Sequence, residues 1–314
     1  VYAFAVNNWS ETPAVTVCVC AYNEADTIGA TLETVRRQSY GAVSDILVCA
    51  NGCRDATADA VRAAAGQDPR ITLYELPEAG KPAAWNVLFA AAQTDLVVFI
   101  DADVALEPGA IEELVRVYQT QPGLTAVAAL TVPVLSERYR LLRLLGPPRD
   151  MNSGICGRLY LVSRSRLVSR FRELGLSRMP EELIHEDAWL TGIIGREDYT
   201  VIETAQVYYT YPALGELLAL FKRSVRSQKQ LDRAYAVSGV QYGPPLSEKI
   251  RRWVRALAKM PPRAACATLL HLFIRKLFHA CAALLVRGEP LLTARTGWTV
   301  TKSSKVVPKA YAEI

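Results

Sequence analysis

Residues 96–103 read Leu96-Val97-Val98-Phe99-Ile100-Asp101-Ala102-Asp103. Five apolar residues bounded by polar ones predict a buried strand. An open α/β sheet binds its ligands just beyond the carboxyl ends of its strands, which is where Asp101 and Asp103 fall. Two ionised carboxylates at the mouth of an apolar core are costly unless a cation or hydrogen-bond donors compensate them. Hard oxygen ligands suit Mg²⁺ or Mn²⁺, and such an ion can neutralise a diphosphate. The competing reading makes Asp103 a helix cap and Asp101 a solvated side chain.

Working outward, Val15–Cys20 forms a first strand, followed by polar Asn23-Glu24 and by a helix over 25–38 with Ile28, Leu32 and Val35 on one stripe. Ile46–Cys49 is a second strand, ended by the turn signal Asn51-Gly52. Asp55 is placed to cap a short helix through Ala65, and 71–76 makes a third strand. Pro82 suits the first turn of a helix that buries Trp85, Leu88, Phe89 and Ala92. Pro108 opens another, with Ile111, Leu114, Val115 and Tyr118 inward. Alternation of strand and helix through about residue 120 predicts an α/β fold with a mostly parallel central sheet flanked by helices. Beyond it the pattern loosens. Residues 125–134 and 155–162 read as strands, and 181–194 and 214–236 as helices.

The 314 residues are 51% hydrophobic and 21% charged, enough for a large core and one or two domains. A net charge of +5 suits an anionic substrate or a membrane surface and does not by itself suggest nucleic acid. Seven cysteines, an odd number without a Cys-x-x-Cys pair, read as reduced, buried thiols. With no secretory signal in view, a cytoplasmic setting is expected.

The C-terminal third differs. Residues 249–263 carry Lys249, Arg251, Arg252, Arg255, Lys259 and Arg263 and no acid, with Ile250, Trp253, Val254 and Leu257 on the opposite face. Pro261-Pro262 break that helix. Residues 264–286 are long and apolar, but Arg275 and Lys276 sit mid-segment. Each would cost ~3 kcal/mol at a bilayer centre, which argues against a simple transmembrane span. His271, Arg275 and His279 share one stripe. The two segments therefore read as amphipathic helices. They either pack on the preceding domain or lie in the interface of an anionic membrane.

Cys20-Ala21-Tyr22-Asn23-Glu24, Asn51 with Asp55, Gly80-Lys81 with Asn86, Asp101-Ala102-Asp103, Gly154-Ile155-Cys156-Gly157 and His185-Glu186-Asp187 follow one another in an order that resembles glycosyltransferase family 2. These are inverting nucleotide-sugar transferases of GT-A fold, and the resemblance runs over about 13–235. It implies a GT-A catalytic domain at 1–235, with a nucleotide-binding half at 13–120 and an acceptor half at 121–235. A helical extension follows at 236–314. Ala21, Tyr22 and Glu24 would line the nucleotide, with Glu24 accepting from ribose or base. Asn51 would face a uracil edge where many members carry Asp. Lys81 would meet a phosphate as a point charge, and Asn86 would pin the donor loop.

By the same resemblance Asp103 holds Mn²⁺ or Mg²⁺, and Asp101 contacts the ion, its water or the ribose. Of the acidic pair, Asp187 takes the acceptor's proton. Glu186 orients, because adjacent helical side chains diverge by about 100°. Glycines 154 and 157 let backbone approach the acceptor. Processive members carry Gln-x-x-Arg-Trp where this chain has Arg223-Ser224-Val225-Arg226-Ser227. The missing aromatic platform implies one sugar per acceptor, with Arg223 and Arg226 left to neutralise the diphosphate. Arg295, Gly297, Trp298 and Lys302 form a tail able to fold over the donor.

The expected activity is hexosyl or N-acetylhexosaminyl transfer, first from a UDP-linked donor. The acceptor is a lipid, a glycan, a peptide or a small natural product. A nucleotidyltransferase would show a Gly-rich basic loop near the N-terminus, and residues 20–29 lack one. A non-catalytic binding module would have no use for the acid pair.

Overall fold

The computed structural model describes residues 12–135, 139, 154–238, 246–287 and 305. The eight strands are β1 Val15–Ala21, β2 Val43–Asn51, β3 Ile71–Leu76, β4 Leu96–Asp101, β5 Val104–Leu106, β6 Ala126–Val134, β7 Leu159–Ser163 and β8 Tyr199–Thr210. The first six helices are α1 Ile28–Arg36, α2 Thr57–Ala65, α3 Lys81–Ala91, α4 Ala110–Thr120, α5 Arg164–Glu173 and α6 Glu186–Ile194. Three more close the described chain: α7 Leu214–Ser238, α8 Leu246–Ala258 and α9 Pro262–Leu285.

One sheet runs β3-β2-β1-β4-β7-β6-β8-β5. Its first four strands are parallel, β7 pairs antiparallel with both β4 and β6, and β6 and β8 are again parallel. The expected α/β class and mostly parallel sheet are what the chain forms.

Period-two alternation gives β4 two buried faces. Leu96, Val98 and Ile100 enter the layer containing Ile28, Leu32, Ile111 and Leu114 of α1 and α4. Val97 and Phe99 enter the layer of Trp85, Leu88 and Phe89 on α3. Phe99 stacks between Trp85 at 4.8 Å and Tyr160 at 5.5 Å, centroid to centroid. The Trp85 Nε1–H donates to the Tyr160 hydroxyl at 2.8 Å, satisfying two buried polar atoms at once. This stack fixes the end of β4, and Asp101 continues the face of Phe99, toward α3.

Several boundaries move. α1 starts at Ile28, because Glu24 through Thr27 form a hydrogen-bonded turn. β7 starts at Leu159, so 155–158 is loop. α6 begins at Glu186, five residues after the expected start. α7 runs past the expected domain boundary at 235 to Ser238. Asp103 is followed by the short strand β5 and caps no helix. β5, α5 and β8 are additions to the sequence reading. Cys18, Cys20, Cys49 and Cys156 are buried free thiols as expected, but Cys266 and Cys281 are exposed on α9. That helix is also the one described helix long and apolar enough to cross a membrane.

Candidate active site

From the neighbouring strands β1 and β4 the sheet extends in opposite directions, β1 toward β2 and β3, β4 toward β7 and β6. Such a reversal opens a crevice at the carboxyl ends of the strands. Residues 21–24 leave β1 there, and 101–103 leave β4. The side expected to hold a nucleotide is a backbone clamp. Asn51 donates from Nδ2 to the Ala21 carbonyl at 2.7 Å and accepts at Oδ1 from the Gly80 amide at 3.0 Å. The amide expected at a uracil edge is thus buried and committed to joining β1 to the start of α3. Gly52 has φ +62°, and a Cβ there would lie 2.3 Å from the Ala79 nitrogen, so no other residue fits. Tyr22 is half-buried. Glu24 accepts from the Thr27 hydroxyl at 2.8 Å and from the Lys305 ammonium, which also donates to the Tyr22 and Asn23 carbonyls at 2.8 and 2.9 Å. Burial and the Asp103 charge push Glu24 up to about 7, against the pull of Lys305. Lys305 was not among the tail residues singled out in sequence. Those, Arg295, Gly297, Trp298 and Lys302, lie outside the described residues.

The centre is an ion cluster around Lys81. Its Nζ lies 2.6 Å from Asp101 Oδ1 and 2.6 Å from Glu186 Oε1. Burial alone would lower the ammonium, but Asp101, Glu186 and Asp187 outweigh it and hold Lys81 well above its usual range. Burial likewise raises Asp101, and Lys81 more than offsets that, leaving it lowered. Lys81, the cation expected at a phosphate, links the strand-end carboxylate to the acid pair in this structure. The sequence reading missed this because the partners are 20 and 105 residues away. Asn86 exchanges two hydrogen bonds with the backbone of Met179, at 2.9 and 3.1 Å, pinning the segment before the acid pair.

The acid pair divides. Glu186 is buried against Lys81, and burial, with Lys81 opposing, raises it to about 6. Asp187 is half-buried, and its Oδ2 accepts from the Gly157 amide at 3.0 Å. A Cβ on Gly157 would stand 2.8 Å from Lys81 Nζ and 3.2 Å from Glu186 Oε1, so the glycine is what lets this loop close on the cluster. Gly154 does similar work against Thr191, whose hydroxyl accepts from the Ile155 amide at 3.0 Å.

His185 makes no side-chain cap. Its Nδ1 instead lies 2.7 Å from the Ser227 hydroxyl of α7. Burial lowers it to about 4, so the imidazole is neutral near pH 7. Arg223, buried one turn before Ser227, feels Glu186, Asp187 and Asp101, though burial lowers its pKa. Arg226 lies on the same helix, half-buried. Arg158 was missed. It directly follows the Gly154–Gly157 motif, its guanidinium lies 3.6 Å over the Tyr209 ring, and its charge acts on both Asp101 and Asp103. A cation immediately after a paired-glycine loop is the signal that would have found it.

Asp103 differs from Asp101. No hydrogen bond or ion pair to it occurs among the described residues, and burial together with the Asp101 charge raises its pKa. A half-buried carboxylate of this kind asks for a cation. No three His, Cys, Asp or Glu side chains converge as a metal cage among the described residues. One or two carboxylates with substrate phosphates, however, are how Mg²⁺ is usually held. The donor set fits a hard divalent ion that arrives with a diphosphate.

A crevice at a sheet reversal, closed by a paired-aspartate strand end and an acid pair, defines the GT-A architecture of nucleotide-sugar enzymes. The comparisons agree. Residues 16–166 match the family described as Glycosyl transferase family 2, and that stretch of the chain is a domain of this family. EpsH of Bacillus subtilis is 32% identical over 106 residues, 34% of this chain and 30% of EpsH. Glycosyltransferase AglD of Haloferax volcanii is 33% identical over 107 residues, 32% of this chain and 17% of AglD. The chain thus spans under a third of each of these relatives. Among solved structures, mannosyltransferase PcManGT of Pyrobaculum calidifontis, in complex with GDP-Man and Mn²⁺, superposes with TM-score 0.54 at 22% identity. That alignment covers 90% of this chain and 77% of PcManGT. S. aureus TarS 1–349 in complex with UDP gives TM-score 0.54 at 15% identity over 76% and 69%. At these identities the structural likeness speaks for the fold alone.

Proposed function

We propose that the protein transfers a single sugar, with inversion, from a nucleotide donor to an acceptor hydroxyl or similar nucleophile, and that UDP is the nucleotide. The observation that carries this reading is the position of Asp187. It is half-buried and hydrogen-bonded to the Gly157 amide, across the Lys81 cluster from the strand-end aspartates. In the proposed step the acceptor oxygen attacks the anomeric carbon as its proton passes to Asp187. The bond from that carbon to the diphosphate oxygen breaks on the opposite face. Glu186, buried against Lys81, holds the helix start in place rather than taking the proton. Arg223, Arg226 and Arg158 supply positive charge on the diphosphate side.

Asp103, with Asp101 beside it, would hold Mn²⁺ or Mg²⁺, which when bound would stabilise the leaving diphosphate as a Lewis acid. Ser227 follows Arg226 where processive members carry Trp, and it is engaged with His185, so no stacking platform for a growing glycan stands there. The neighbours' bound nucleotides, GDP-Man in one and UDP in another, set the two bases that the experiment compares. We place the reaction in the cytoplasm, with the protein peripheral on the inner face of a membrane.

A panel of UDP- and GDP-sugars with Mn²⁺ tests the reading. UDP release that stops with chelator supports it. Pyrophosphate release from a nucleoside triphosphate would instead make it a nucleotidyltransferase, and turnover of neither would leave a binding module.

A further inference from the structure

We propose that α8 and the outer face of α9 form one docking surface that lies flat on an anionic lipid bilayer. α9 is turned inside out for a soluble protein. Toward the catalytic domain it presents Ala267, Thr268, His271 and Ala282, buried, with Ile274 and Phe278 packed alongside. Toward solvent it presents Leu269, Leu270, Phe273, Leu277, Leu284 and Leu285, with Phe273 65% and Leu284 71% exposed. Ile250 and Val254 of α8 are exposed too, at 47% and 59%. A continuous apolar face of this kind on a soluble fold marks an interaction site.

Charge names the occupant. From Lys249 to Arg287 there are nine Lys and Arg residues and no Asp or Glu. The whole chain is only +5, so the rest of it is net negative. Arg251, Arg255, Lys259 and Arg263 are exposed beside the apolar residues. Exposed apolar side chains and exposed cations on the same pair of helices match the boundary between acyl chains and anionic headgroups. A second copy of this chain docking through the same face would have to set this basic segment against its own copy.

The helix lies in the surface rather than across the bilayer, because its inner face is tied down along its length. His271 packs edge-on against Tyr211 at 5.0 Å, Arg275 sits 6.0 Å over Phe221, and Lys229 Nζ donates to the Val286 carbonyl at 3.1 Å. The proposal deepens the peripheral placement given above, and its test reads lipid binding, so it can fail while the transferase reading survives.

The test is vesicle co-flotation of the full chain at low salt, with phosphatidylglycerol/phosphatidylcholine or pure phosphatidylcholine vesicles. Binding to the anionic vesicles at least ~10-fold above the neutral ones is expected, with loss in 0.5 M salt. Phe273→Ser with Leu277→Ser, both at exposed positions, should cut binding ~10-fold or more with an unchanged melting curve. Arg251→Gln with Arg255→Gln should cut it comparably and flatten the salt dependence. Equal binding to both vesicle types, or none, overturns the proposal. So does a concentration-dependent dimer in place of lipid binding, or retention through salt and alkaline washing, which would mean a spanning helix.

Discussion

At the residue scale the two members of the acid pair have different work, and the difference is measurable. Asp187→Asn keeps shape and removes the proton acceptor, so kcat should fall ~10²–10⁴-fold while donor affinity holds. Glu186→Gln should be milder, since Lys81 keeps Asp101 as a partner. Steady-state kinetics with donor titration checks both, and a reversed ranking would exchange the roles. Lys81→Met is the severe substitution for the fold. It leaves Asp101 and Glu186 buried without their cation, and breaking a buried pair in this way costs ~3–5 kcal/mol. Urea unfolding should therefore rank Lys81→Met well below Glu186→Gln. The motifs at 20–24, 51, 101–103 and 154–157 were legible because each lies within a few residues of a strand end, and the acid pair because it opens a helix. Their partners were not. The Lys81–Glu186 contact and the Asn51 clamp are long-range pairings that spacing along the chain does not encode.

At the element scale, β4 and α3 were legible because an apolar run and a Pro-opened amphipathic stretch are local patterns. β8 was not. Its Glu203-Thr204-Ala205-Gln206 centre interrupts the alternation, and a register shift against β6 between Ala129 and Leu130 absorbs the interruption. α5 was hidden because only Leu167 and Phe171 mark its buried side amid arginines. The start of α6 carries a pH prediction. His185 is lowered from 6.5 to about 4 by burial, with Asp187 opposing and Arg223 and Lys81 reinforcing. The unfolded chain then binds the proton more tightly, so stability is full above about pH 6.5 and is lost as pH falls toward 4. Glu186, raised to about 6, works the other way between 4.5 and 6. Comparison with His185→Gln isolates the histidine. The stability of wild type relative to the variant should fall by up to about 1.4 kcal/mol per pH unit across that window. A pH-independent difference would mean that His185 is not held neutral.

At the scale of the molecule, the donor crevice is formed by two parts of one sheet that diverge from β1 and β4, so ligand binding should brace the whole fold. The sequence carried the parallel half well, since βαβ alternation is a regular signal. The antiparallel β4–β7 seam that completes the crevice depends on pairing across about sixty residues and left only short apolar runs to read. A nucleotide that binds only the folded chain adds about 2.7 kcal/mol at a hundredfold excess over Kd. For a domain of this size that is a melting shift of several degrees. UDP with Mn²⁺ should give this shift, UDP with chelator much less, and Mn²⁺ alone little, because the carboxylates and the diphosphate hold the ion together. Asp103→Ala should keep a wild-type melting curve without ligand, or exceed it, since the substitution removes a half-buried carboxyl with no described partner. It should also lose the part of the UDP shift that depends on Mn²⁺. If chelator leaves the UDP shift unchanged in the wild-type chain, the ion is not part of the donor site, and Lys81, Arg158 and Arg223 must neutralise the diphosphate alone.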